Sequence, residues 1–223
     1  MMNLTELSQY YQQNNDKFPE PFRLRIYRAF SWLNAANQQL NLDKPNEDLA
    51  FIALWVSFNA AYAKEIDDLP QPERTNFQDF LQTVCDLDNE QKLYSLVWQK
   101  FSGSLRLLLD NRYVFQPFWH FHNGKISETA WLQSFENAKR KAHSALAKKD
   151  TALVLSIVFD RLYTLRNQLM HGGATFESSA NRPQLKDACD FLQECVPNIL
   201  LIMMKAPTNP TWGKAFYPFI TGA

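Results

Sequence analysis

The chain has 223 residues, 46% of them hydrophobic, with 17 Phe, 8 Tyr and 6 Trp and a formal net charge of zero. That apolar mass supports one large domain, or one domain with a small appendage, and the neutral balance excludes a global basic field that would advertise nucleic acid. Six glycines and eleven prolines are too little punctuation for a many-turned all-β fold, so the predicted class is all-α, a bundle of about seven to nine helices.

The first predicted helix runs from Leu4 to Gln13, and Phe18-Pro19-Glu20-Pro21 breaks the chain after it. A second runs from Phe22 to Leu40. Its apolar stripe is read as Leu24, Tyr27, Ala29, Phe30 and Leu33, with Arg23, Arg25 and Arg28 loading its first half with positive charge. Asn46-Glu47-Asp48 opens a third helix, to about Glu65, with acidic groups at its positive end. Its run Phe51 to Tyr62 is apolar nearly all round and should be the central buried helix. Asn59 within it is expected to tie two helices together, because a buried amide needs partners.

Glu65 to Glu90 is acidic and holds Pro70 and Pro72; a loop and one helix, Glu73 to Asp86, are expected there. Asp88 with Gln91 has the pattern of an N-cap and capping box for a helix to about Leu109, with Gly103 as an interruption. Tyr113 to Ile126 is the least helical stretch, and Asn123-Gly124 suits the turn of a small hairpin near residues 119–126. Ser127 then caps a helix through Lys149, and Asp150 caps the next, through Met170. The last helix starts near Asn181-Arg182-Pro183 and ends about Lys205, with Pro197 expected to kink it. In the tail from Ala206 to Ala223, Trp212, Phe216, Tyr217 and Phe219 are expected to pack on the body or on a partner.

Cys85, Cys189 and Cys195 are odd in number and lack paired spacing, so all three are expected reduced and buried or half-buried. Met1 to Glu6 has neither the basic nor the apolar region of a signal peptide, and no stretch reaches the roughly 20 apolar residues of a membrane span. The expected location is the cytoplasm.

Chemistry concentrates in Tyr163-Thr164-Leu165-Arg166-Asn167-Gln168-Leu169-Met170-His171-Gly172-Gly173. The paired glycines should stop the helix. A guanidinium brings fixed charge and a bidentate fork to phosphate, and an imidazole takes or gives a proton near neutral pH. At about 100° per residue, His171 lies roughly 140° around the helix from Arg166 and must fold back at the glycines, or meet a second subunit, to join it. Ordinary roles also fit: Arg166 as a surface partner of Asp160 or Glu177, and His171 as a plain C-cap.

Arg166, a polar Asn167, three further residues and His171, closing a helix in an all-α chain, resemble the signature of the HEPN superfamily (higher eukaryotes and prokaryotes nucleotide-binding). Leu54 to Tyr62 is similar to the helix that precedes the motif in several bacterial members. The resemblance covers about Asn46 to Lys205. It implies a HEPN-like domain over residues 1–205, with a looser helical insertion at about 65–149 and the aromatic tail beyond. It further implies a metal-independent endoribonuclease, of the toxin or defence-effector kind, whose site is completed by a second protomer in a homodimer. Arg166 then stabilises the scissile phosphate, His171 transfers protons, Asn167 positions them, and no cofactor is needed. Family members also serve as non-catalytic modules that bind RNA, nucleotide or protein, such as an antitoxin, and that alternative stays open.

Lys139, Arg140 and Lys141, continued by His143 and Lys148-Lys149, form the best local cationic run, either a solvated helix face or an RNA-tracking rim. Arg23, Arg25 and Arg28 admit the same two readings. His120 and His122 flank Phe121; on a strand they would share a face suited to zinc, but no further ligand lies at a motif spacing, and aromatic packing is the expected role.

Overall fold

The computed structural model describes residues 4–64, 73–179 and 181–215. They are all-helical, with ten α-helices: α1 Leu4–Asn14, α2 Glu20–Leu40, α3 Glu47–Tyr62, α4 Glu73–Asp86, α5 Lys92–Ser95, α6 Ser102–Leu109, α7 Gln116–His122, α8 Glu128–Lys148, α9 Thr151–Met170 and α10 Arg182–Lys205. Three starts follow the expected chemistry. The side chains of Asn46, Ser127 and Asp150 accept the backbone N–H groups of Leu49, Ala130 and Leu153, which would otherwise lack partners at the helix ends.

Two segments differ from expectation. The helix expected from Asp88 to Leu109 is divided, because Leu96–Lys100 widens into a π-helical turn in which Phe101 N–H reaches back to the Leu96 carbonyl at 3.0 Å. The interruption therefore precedes Gly103. Asp88 does cap, accepting from Lys92 and Leu93 N–H at 2.9 and 2.8 Å. Gln91 has a φ of 53° and stands outside the helix rather than closing a capping box.

The hairpin at 119–126 is not formed; helix α7 occupies that stretch. Asn-Gly is a helix end here. Gly124 takes a φ of 68° and donates to the Phe121 carbonyl at 2.9 Å, while Lys125 N–H donates to the His120 carbonyl at 2.8 Å. The left-handed glycine that makes a tight hairpin also makes a Schellman cap.

The chain divides into two compact units, residues 1–93 with 189–223, and residues 94–188. In the first, α3 is the buried centre, with Phe51, Leu54, Trp55, Phe58 and Ala61 all sealed from solvent. It packs chiefly on α2. The buried face of α2 is Phe22, Arg25, Ile26, Ala29, Phe30 and Leu33, whereas Tyr27, assigned to the stripe from sequence, is 63% exposed. The tie between the two helices is also not Asn59, whose side-chain oxygen is buried with no hydrogen-bond partner among the described residues. Ser57 supplies it, its hydroxyl donating to the Ala29 carbonyl at 2.7 Å.

The described part of the tail packs on this unit. Trp212 is buried edge-on to Phe80, and its indole N–H donates to the Ala206 carbonyl. Phe216, Tyr217 and Phe219 lie outside the described residues. Pro197 removes one rung of α10 without ending it, and Asn198 Nδ2 donates to the nearby Glu194 carbonyl at 2.8 Å.

All three cysteines are free; Cys189 and Cys195 are buried and Cys85 half-buried. Burial pushes the Cys195 thiol well up, away from the reactive thiolate. A Cys85→Ser protein should therefore show no thiol reactive to an aromatic disulfide reagent until it is unfolded, when both remaining thiols react. Rapid native reaction would contradict the buried placement.

Candidate functional site at the end of helix α9

Helix α9 belongs to the second unit. Ala152, Val154, Leu155, Ile157, Val158, Phe159, Leu162 and Leu165 bury its inner face, which fixes the helix and so the direction in which its last turn points. Arg161 is buried in the same face, its guanidinium 4.5 Å from the Phe115 ring centre and 3.7 Å from Asp160 Oδ2.

The helix stops where the glycines demand. Gly172 takes a φ of 67° and donates to the Leu169 carbonyl at 3.2 Å, and Gly173 N–H reaches the Gln168 carbonyl at 2.7 Å. These are the two bonds of a Schellman motif, with His171 as the C-cap. A β-carbon on Gly172 would meet nothing within 4 Å. The cost of Gly172→Ala is then conformational alone, about 1 kcal/mol, or about 2–4 °C in Tm for a chain of this size. A thermal melt unchanged by this substitution would contradict the left-handed turn.

Around this last turn the side chains take fixed places. Arg166 is half-buried, donates to Asn167 Oδ1 at 2.9 Å and lies 5.9 Å from the Tyr163 ring centre. Those are its partners among the described residues, and neither Asp160 nor Glu177 is one of them. His171 is exposed, and its imidazole makes no hydrogen bond, ion pair or ring contact among the described residues. Asn167 and His171 are four apart on the helix and adjoin. Asn167 accepts from the guanidinium and lies on the side of the helix nearer His171. The structure brings Arg166 and Asn167 together and leaves His171 one turn beyond, not folded back onto Arg166.

Tyr113, Trp119 and Asn181 also join this end of the helix, and no motif pointed to them. Gln168 Nε2 donates to the Tyr113 carbonyl at 2.7 Å, while its Oε1 accepts from Asn181 Nδ2 at 2.9 Å. Trp119 Nε1 donates to the same Tyr113 carbonyl at 2.8 Å. Tyr113, Met170 and Phe176 are 42%, 52% and 64% exposed, so the corner carries uncovered apolar surface.

Lys139, Arg140 and Lys141 lie on α8, which the two residues Lys149 and Asp150 connect to α9. Lys139 is 3.9 Å from Glu136, Arg140 bonds Asn137, and Lys141 is exposed. The run is a cationic face of α8, and its described partners are on α8 itself.

His120 and His122 sit on helix α7, where residues two apart point about 200° from each other, so the shared strand face is lost. His122 packs on Phe118 with ring centres 4.3 Å apart, the aromatic role expected of it. No cluster of three or more metal-ligating side chains occurs among the described residues, and no described helix is long and apolar enough to cross a membrane.

No protein-family model, curated protein or solved structure matches this chain.

Proposed function

We propose that the chain is a HEPN-like, metal-independent endoribonuclease, a toxin or defence effector, with a site completed when two protomers join their Arg166–His171 corners. The observation that carries this reading is the Arg166–Asn167 hydrogen bond beside an accessible imidazole at a glycine-terminated helix end. In the reaction, a ribose 2′-oxygen attacks the adjacent phosphorus and loses its proton. The bond to the 5′-oxygen breaks, that oxygen takes a proton, and a cyclic phosphate remains. Arg166 neutralises the charge gathering on the phosphate oxygens. His171 moves protons. One imidazole must take and give in turn; a second, from the other protomer, serves both ends at once. Met170 and Phe176, close to His171 in sequence, are exposed, and uncovered apolar surface of this kind suits coverage by that protomer.

The test is incubation of the purified protein with RNA in EDTA beside Arg166→Ala and His171→Ala, with the oligomeric state measured by ultracentrifugation. Cleavage by the parent alone, from a dimer, supports the reading; equal cleavage by parent and variants defeats it. One observation favours a second reading, a non-catalytic HEPN-type module for RNA, nucleotide or a partner protein. A catalytic imidazole is usually oriented by a third group, and His171 has none among the described residues. That reading requires binding that survives His171→Ala, without turnover.

A further inference from the structure

We propose that Tyr113, held beside His171 by Gln168, is a stacking platform for an unpaired base, so that the RNA bound at this corner is single-stranded. The inference rests on RNA as the ligand of the Arg166–His171 corner and adds where the base goes.

The placement follows from the helix. Gln168 and His171 are three residues apart on α9 and share a face, whereas Gln168 and Arg166 point about 200° apart. The bond from Gln168 Nε2 to the Tyr113 carbonyl therefore sets the Tyr113 backbone on the side of α9 that Gln168 shares with His171. The second bond to that carbonyl, from Trp119, fixes the same backbone from the other element. The ring makes a T-shaped contact with Phe118, with centres 5.5 Å apart and planes at 84°. It is nonetheless 42% exposed. A large ring held by its backbone and by Phe118, yet partly open to solvent, is a poor use of a core residue and a good surface for a base.

Charge agrees with that occupant. The exposed Arg112 guanidinium lies over the Tyr113 ring, 5.1 Å from its centre, and donates to its hydroxyl at 3.2 Å, so a base stacks on the ring's other side or on the guanidinium. It presents a second flat, cationic surface to a base or to its phosphate. Every base has a π-face, so ring and guanidinium together bind single strands with little sequence preference. A duplex keeps its bases stacked inside and cannot offer one.

The experiment is fluorescence anisotropy in EDTA with a short labelled RNA of mixed sequence, single-stranded or as a blunt duplex. The full chain carries His171→Ala so that no RNA is cut. Adding Tyr113→Ala should weaken single-strand binding about ten-fold and leave duplex binding unchanged, while Tyr113→Phe stays within about two-fold. Tyr113→Leu, which keeps bulk over Phe118 without a ring, should lose as much as alanine and guards against a packing artefact. Single-strand affinity that survives Tyr113→Ala or Tyr113→Leu overturns the platform. So does equal loss on both RNAs, or a parent with no single-strand affinity. Cleavage by the unmutated chain is scored separately. Absent cleavage with a Tyr113-dependent affinity removes the nuclease and keeps the platform; cleavage that Tyr113→Ala leaves intact, with unchanged affinity, does the reverse.

Discussion

Arg25→Met should destabilise the protein by about 3 kcal/mol, lowering Tm by about 6–12 °C for a chain of this size. Arg25 is 1% exposed, and its described partners are all backbone carbonyls. Nη1 donates to Ala61 and Ala63 at 2.8 and 2.7 Å, and Nη2 to Trp212, Gly213 and Lys214 at 2.7, 3.3 and 3.0 Å. The fork joins the end of α3 to the tail, beside the bridge between Lys64 and Ala215. Two effects oppose. Burial pulls the guanidinium down to about 10, which leaves it charged at neutral pH and costs desolvation that methionine would remove. Methionine also strips the carbonyls of their donor, and those of Ala61 and Trp212 are buried. Bare buried acceptors cost about 1–3 kcal/mol each, so the loss wins. Arg25→Lys should recover little, because one ammonium cannot span two carbonyl groups with a planar fork. Urea unfolding reads the energy, and limited proteolysis reads whether residues 206–215 come loose. A methionine variant as stable as the parent, with a protected tail, would show that the fork does not hold the tail.

The same residue shows where the sequence was legible. Helix starts could be read because each depends on a local rule: Asn46, Ser127 and Asp150 each cap the N–H three residues on. The burial of α3 was legible because it is apolar all round. The α2 face was legible in part: Ala29, Phe30 and Leu33 are buried as read, but Tyr27 is exposed and Arg25, read as surface charge, is buried. Phe22, Arg25, Ile26, Ala29 and Leu33 keep helical spacing, and only the charge of Arg25 argued against placing it with them. Its acceptors come from residues 36 to 189 positions away in sequence, and no local rule announces them. Asn123-Gly124 failed differently: the dipeptide fixes a left-handed glycine, and that conformation serves a hairpin or a helix end alike. At the candidate site, the Gly172-Gly173 stop was readable for the same local reason. The bond from Gln168 to Tyr113 spans 55 residues and was not.

His171→Ala should lower the rate of RNA cleavage in EDTA by about 10²–10⁴-fold, the usual contribution of a positioned proton-transfer group. Arg166→Ala should cost about 10²–10³-fold by removing charge from the developing oxyanions. Arg166→Lys should not restore it, since Asn167 Oδ1 is placed to hold a guanidinium arm and leave the rest of the fork for phosphate. Asn167→Ala should show a smaller loss than either, because it frees the arm without removing the charge. Groups that act as a unit are not additive, so the Arg166→Ala, His171→Ala double variant should fall little below the worse single one. These values discriminate because the rival roles predict otherwise. A helix C-cap at His171 would tolerate alanine in cleavage and show its effect in the melt. A surface arginine would tolerate lysine. If both substitutions leave the cleavage rate unchanged while the parent cuts RNA, the chemistry lies elsewhere in the chain.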